Sequence, residues 1–384
     1  MKITYKTKTR CSICFSKMKS VVHLPNYPIT ELYTKKKINN KKFNINQSLL
    51  FCNNCKHISL KNIINQKFFY NNYNVRSRTS VKYAQEYLDN FFIYIQKNIK
   101  KKSKNNLIID IGGNDSSFLN FFKKNEKINI DPNASGNKNI IIIKKYFENV
   151  DFSKYKKKNK IYVSSHTIEH ISDINLLLKN ISDSLDSEDL FFVQFPSLEK
   201  FIENSRFDQI THQHLNLYSL ESISKLLNKH QLFIKNFEYD NSVYGTLRVC
   251  AFKSFQKNNF RLNINSKEIR KKFTNFSKFY QNYNDIIKKE NNLIGFGAGM
   301  MVPSLKYYLP SLNNLRFILD NDIKKNNKYF INMKPQIKYF NNNFKKFDAY
   351  KFIISSISTE NTLKKICKKL IENKIDFFIP FFKI

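Results

Sequence analysis

A chain of 384 residues is longer than one hydrophobic core usually supports, so two or three domains are expected, and a hydrophobic share of 41% is enough to fill them. The formal charge of +36, from 66 Lys and Arg against 30 Asp and Glu, would point to a polyanionic partner if the basic residues formed a stripe. They are scattered instead, as at Lys35 to Lys37 and Lys156 to Lys158, among abundant Asn, Ile, Phe and Tyr, with seven Gly, eight Pro and no Trp. An AT-rich coding sequence writes any protein this way, so the charge is not taken as a sign of nucleic acid. The basic start, Met1 to Arg10, precedes no apolar segment of signal-peptide length, and no later run reaches the roughly 18 apolar residues of a membrane span. A cytoplasmic protein with no membrane partner is expected.

The first element is a small unit with two knuckles, Cys11-Ser12-Ile13-Cys14 and Cys52-Asn53-Asn54-Cys55. Two residues between paired cysteines let the backbone turn around a metal, so each pair presents two thiolates to one tetrahedral Zn²⁺. Six cysteines in so long a chain are too few for a disulfide scaffold, which also favours metal. The insert between the knuckles must be filled by a loop or hairpin. Tyr83, Tyr87, Leu88, Phe91, Phe92 and Ile95 then share one face of a helix of period 3.6.

Strands follow at Leu107 to Ile111, Ile128 to Asp131, Ile161 to Ser165, Leu190 to Phe195, Leu232 to Tyr239 and Thr246 to Phe252, with helices between the earlier ones. That alternation predicts a mainly parallel doubly wound α/β sheet whose last two strands pair antiparallel. A long helix from Ser266 to Glu290 leads into a further α/β layer with strands at Leu293 to Gly299, Leu315 to Asp322, Phe352 to Ser356 and Phe377 to Phe382. The expected division is 1–65 for a zinc-binding domain, 66–104 for a connecting helix, 105–256 for the cofactor domain and 266–384 for a Rossmann-like domain.

Leu107 to Asp110 is an apolar strand that runs into Gly112, Gly113 and Asn114, a glycine turn ahead of an expected helix. Such a turn lets the backbone approach a ligand at the carboxyl end of a sheet. Asp131 ends the next strand about 20 residues later, where an acid bonds ribose hydroxyls. Asn114 and Ser117 stand where a dinucleotide fingerprint has later glycines, so an adenosyl cofactor fits better than a pyrophosphate. A second glycine turn, Gly295-Phe296-Gly297-Ala298-Gly299, is expected to dock a nucleotide portion of the substrate.

Taken together, these residues resemble the three-domain sugar C-methyltransferases that modify nucleotide-linked deoxysugars. The knuckles look like that family's zinc-binding domain. Tyr73-Asn74-Val75-Arg76-Ser77-Arg78-Thr79-Ser80 is similar to its Tyr-x-Tyr-x-Ser-x-x-Ser stretch, and Asp110-Ile111-Gly112-Gly113-Asn114-Asp115 resembles its cofactor motif. Ile168-Glu169-His170-Ile171 stands where it has Leu-Glu-His-Val. Phe207-Asp208-Gln209-Ile210-Thr211-His212-Gln213-His214 matches Tyr-Asp-x-Ile-Tyr-His-Glu-His, and Gly245-Thr246-Leu247-Arg248-Val249 matches Gly-Gly-Ser-Leu-Arg-Val apart from one glycine. Gly295 to Gly299 and Phe317 to Asp322 are similar to its third domain.

The resemblance implies a methyltransferase core of the class I type that uses S-adenosylmethionine, bound by Asp110, Gly112, Asn114, Asp115 and Asp131. It implies structural Zn²⁺ on Cys11, Cys14, Cys52 and Cys55, and a nucleotide-sugar substrate of polysaccharide or glycoconjugate biosynthesis, handled by a monomer or small homo-oligomer. Carbon next to a ketone is a weak acid, so its methylation needs a base and donors that stabilise the enolate. By resemblance His214 is the base and His170 the group that orients the oxygen, with His212, Gln213 and Tyr73 beside them. Val75, Thr211, Gln213 and Tyr244 depart from the family pattern, and Gln213 lacks the charge with which a glutamate raises its neighbour's basicity. O- or N-methylation of a related sugar is the enzymatic alternative, and a zinc-containing RNA-binding or RNA-modifying protein the non-sugar one.

Overall fold

The apolar runs between residues 107 and 253 pair into one sheet in the computed structural model of the chain, which describes residues 3–30, 32–65, 68–69, 82–99, 106–152, 155, 159–241, 245–356 and 360–382. Its strands are β1 (Leu107–Ile111), β2 (Lys127–Ile130), β3 (Ile141–Ile143), β4 (Lys160–Ser165), β5 (Leu190–Pro196), β6 (Leu232–Asp240) and β7 (Thr246–Lys253), in the spatial order 3-2-1-4-5-7-6. All neighbours are parallel except β7, which runs antiparallel to both β5 and β6. This is the doubly wound sheet that the resemblance implies, with the last two strands paired as expected and β7 inserted against β5.

Alternation along β1 explains its central place. Ile108 packs with Leu88, Phe91 and Ile95 of the helix Lys82–Asn98, whereas Leu107 and Ile109 pack with Leu177, Leu178 and Ile181 of the helix Ile174–Ser184 on the opposite face. A strand buried on both faces has to be apolar throughout, and Leu107 to Ile111 is interrupted only by Asp110.

Two features differ from expectation. Ile141–Ile143 forms a short edge strand, Ile141 exposed, which was not among the expected strands. After the glycine turn there is only the single 3₁₀ turn Phe118–Phe121, not a helix. The residues leading into it bond their own backbone, as where Ser117 N–H donates to Asp115 Oδ1 at 3.1 Å, and such local bonds compete with a helical ladder.

A second mixed sheet holds, in order, Phe377–Phe378, Lys351–Ile354, Leu293–Phe296, Phe317–Asp320, Gln336–Tyr339, Tyr329–Phe330 and Tyr33–Thr34. Its last strand comes from the segment between the knuckles. A small sheet of Lys19–Pro28, Asn44–Cys52 and His57–Leu60 carries the cysteines and accepts Asn216–Leu217 as its edge. The insert between the knuckles is thus the long hairpin of Lys19–Pro28 with Asn44–Cys52. From that hairpin the buried Tyr27 hydroxyl reaches Ile210 O at 2.6 Å and Ser304 Oγ at 2.8 Å, tying the small sheet to both larger units. Among the described residues no helix is long and apolar enough to cross a membrane.

Candidate active site and cysteine cluster

The carboxyl ends of β1, β2 and β4 open on one edge of the central sheet, where doubly wound folds bind their ligands. Gly112 leaves β1 with φ of +75°, and a Cβ there would stand 2.3 Å from Thr167 Oγ1. The glycine therefore lets the β1 turn close against the loop after β4. A Cβ on Gly113 would stand 2.4 Å from Asn129 Oδ1, so this position too is tight. Asn114 follows at φ of +47°, in the left-handed region that asparagine enters more readily than most residues.

Asn129 of β2, which the sequence did not single out, holds this turn. Its Nδ2 donates to Asn114 O at 2.9 Å and to Ser116 Oγ at 2.7 Å. Asp131 stands just beyond β2, half-buried, and its Oδ1 accepts from Asn133 N–H at 2.7 Å, which fixes the carboxylate at the sheet edge. Asp110 lies fully buried within β1, and Asp115 Oδ1 accepts from the Ser117 amide. Of the residues expected to hold S-adenosylmethionine, Gly112, Asn114 and Asp115 share one turn with Asp131 just beyond β2, whereas Asp110 lies inside β1. If Asp131 bonds the ribose, Asp131→Ala weakens cofactor binding by about 1 to 3 kcal/mol, the cost of a lost charge-assisted bond; calorimetry with unchanged affinity would reject that role.

The loop after β4 begins at His166, held at φ of +50° by its N–H bond to Gln194 O at 2.9 Å. One turn later, Glu169 and His170 face the Thr211–His214 segment. His170 Nδ1 lies 2.9 Å from Gln213 O, and the His170 and His214 rings meet edge to face at 4.9 Å. Glu169 is 1% exposed, with His166 Nδ1 3.4 Å from its Oε1, and its carboxylate and the two imidazoles of His170 and His214 offer ligand atoms within 4.8 Å of one another. Burial pushes His214 down to about 3, and the neighbouring His170 and His166 add to that, against Glu169. Burial opposes ionisation of Glu169, yet the His166 bond and the imidazoles of His170 and His214 hold it at about 2.

His212 turns the other way. Its ring lies between Gln47 Nε2 at 3.2 Å and Tyr27 O at 3.4 Å, inside the contact with the small sheet. Gln213 meets His170 through its backbone oxygen. Tyr73, with Val75, lies outside the described residues. Sequence reasoning quoted Glu169 only as part of a motif and passed over His166; two histidines flanking a glutamate at i and i+4 were the available signal.

Cys11, Cys14, Cys52 and Cys55 converge, their sulfurs within 4.8 Å of one another and Cys14 Sγ 3.5 Å from Cys52 Sγ. Sulfurs bound about 2.3 Å from one Zn²⁺ in a tetrahedron stand about 3.8 Å apart, so the set fits that ion. The residues after the knuckles, Phe15 and Lys56, both have positive φ, near +59° and +53°, which turns each loop's amides back on its thiolates; Ile13 N–H points at Cys11 Sγ at 3.4 Å. His57, fully buried, lies 3.6 Å from Cys11 Sγ through Nδ1 and stacks on Tyr218 with ring centroids 5.1 Å apart. Tyr218 in turn meets Phe195 of β5.

A doubly wound sheet with a glycine turn and an acid at its ligand edge defines a nucleotide-type cofactor domain. Residues 82–234 match the family described as methyltransferase domain, so this unit is a methyltransferase domain, and S-adenosylmethionine is the cofactor the family implies. The C-methyltransferase NovU of Streptomyces niveus is 34% identical over 82 residues, which are 21% of this chain and 20% of that protein; the chain thus matches about one fifth of that relative's length. Among solved structures, magnesium protoporphyrin IX methyltransferase of Synechocystis with bound S-adenosylhomocysteine aligns with 44% of this chain and 83% of its own, at 10% identity and a TM-score of 0.35. The 1,6-didemethyltoxoflavin-N1-methyltransferase of Burkholderia thailandensis aligns with 54% of this chain and 96% of its own, at 8% identity and a TM-score of 0.33.

Proposed function

We propose that the chain is a S-adenosylmethionine-dependent methyltransferase that methylates carbon in a nucleotide-activated keto-deoxysugar. The observation that carries this reading is the meeting of Glu169, His170 and His214 beside the glycine turn of β1. Groups able to activate an acceptor thus share the sheet edge with the expected cofactor turn. The partial match to a C-methyltransferase and the ordered motifs around His170 and His214 support carbon as the atom methylated.

In this reading the cofactor lies along Gly112 to Asp115, with Asp131 at its ribose. The acceptor carbon gives its proton to water, its electron pair takes the methyl group, and the sulfonium sulfur keeps the broken bond's pair and leaves as a neutral thioether. His170 and His214, with Glu169 beside them, acidify that carbon by polarising the acceptor's oxygen; an imidazole held near a pKa of 3 is a feeble proton acceptor by itself, so charge on the oxygen side has to share the task. Zn²⁺ on the four cysteines has a structural part, because four protein ligands leave no open position. The working units are 1–65, 66–104, 105–256 and 266–384, with the last contributing to the nucleotide end of the substrate.

Solvent deuterium exchange at the acceptor carbon separates carbon from heteroatom transfer. Exchange that His214→Ala removes is the expected result; methylation with that carbon's proton wholly retained would mean transfer to oxygen or nitrogen.

A further inference from the structure

Glu169 poses a charge problem. It is buried to 1% exposure, and neither carboxylate oxygen has a hydrogen-bond partner among the described residues beyond the ion-pair approach of His166 at 3.4 Å. Among the described residues no lysine or arginine pairs with it. An ionised carboxylate withdrawn from water needs a compensating positive charge close by.

We propose that Glu169, His170 and His214 bind one divalent transition-metal cation at the carboxyl end of β4, where it faces the methyl acceptor. Three features point to an ion. The three ligand atoms lie within 4.8 Å of one another, near enough for small side-chain rotations to bring them to the roughly 2.1 Å of metal–nitrogen and metal–oxygen bonds. His170 is oriented as metal-bound histidines are: Nδ1–H donates to a backbone carbonyl, Gln213 O at 2.9 Å, which leaves the Nε2 lone pair to the ion. His166 buttresses Glu169 in the same way that outer groups support a ligating carboxylate.

Two imidazoles and one carboxylate select a borderline cation over Mg²⁺ or Ca²⁺, and three protein ligands leave positions open to an acceptor's oxygens. A keto oxygen on the ion would be polarised and its enolate stabilised by the positive charge. The lone pair of His214 then serves the ion, and the acceptor's proton, made more acidic by the polarised oxygen, passes to water. The ligand set stands on geometry alone; only its task rests on the methyltransferase reading above.

The test titrates the full-length, zinc-loaded chain with Co²⁺ and follows its absorption, a thiolate charge-transfer band marking any exchange into the cysteine site. One Co²⁺ per chain without that band is expected, with affinity at least tenfold weaker in Glu169→Gln and in His214→Ala and unchanged in His230→Ala. Zinc content and circular dichroism check each variant's fold, and His214→Ala, at a half-buried position, reads the same site if Glu169→Gln misfolds. Uptake as tight in both ligand variants as in the wild type, or no uptake outside the cysteines, would overturn the site. Methyl transfer persisting without such uptake would overturn the cation and leave the enzymatic function, whereas tight uptake with no methyl transfer would leave the cation and reject the function.

Discussion

Cys52→Ser should yield a chain that purifies without stoichiometric zinc and melts well below the wild type. Structural zinc in small modules contributes an apparent binding free energy of about 10 to 16 kcal/mol, as large as the about 5 to 15 kcal/mol by which whole domains are stable, so even partial loss opens the small sheet. The damage would spread. Cys52 ends the strand that pairs with both Lys19–Pro28 and His57–Leu60, and the latter strand accepts Asn216–Leu217, two residues beyond His214. His57 links Cys11 to Tyr218, and Tyr218 meets Phe195 at the end of β5. Elemental analysis and a thermal melt decide the matter: full zinc with an unchanged melting temperature would show that the cysteines hold no structural metal.

His214→Ala should lower methyl transfer by about 10² to 10³, the range for loss of a preorganised group that stabilises charge developing on the acceptor's oxygen, while cofactor affinity stays within about twofold. The residue lies against His170 at 4.9 Å, whereas the glycine turn is held by Asn129 and closed against Thr167 without it. The substitution therefore removes acceptor activation and leaves the cofactor turn built. Comparing single-turnover transfer with calorimetric cofactor binding separates the two; equal losses in both would mean that His214 supports the cofactor turn.

The architecture was legible where burial forces a simple pattern. β1 must be apolar on both faces, and Leu107 to Ile111 shows it apart from Asp110; the two Cys-x-x-Cys pairs point to one site because two intervening residues let each pair turn around a single metal. Less legible were features made by contacts far apart in sequence. Ile141–Ile143 is an edge whose partner is β2, Tyr33–Thr34 completes a sheet some three hundred residues downstream, and His212 is occupied by Gln47 and Tyr27. A His-x-His pattern cannot tell which histidine is taken up by the small sheet; in the structure it is His212, whereas His214 meets His170. Glu169, on a different loop, comes beside His214 only in the packed structure.

The central claim is methyl transfer from S-adenosylmethionine to a nucleotide-linked sugar. Its most direct test incubates the full chain with methyl-labelled cofactor and a panel of nucleoside diphosphate keto-deoxysugars, their hydroxy counterparts and a structured RNA, and follows mass. A label-bearing keto-sugar product, formed with one S-adenosylhomocysteine per methyl and abolished by His214→Ala, is the predicted result. Label found in the RNA and in none of the sugars would contradict it.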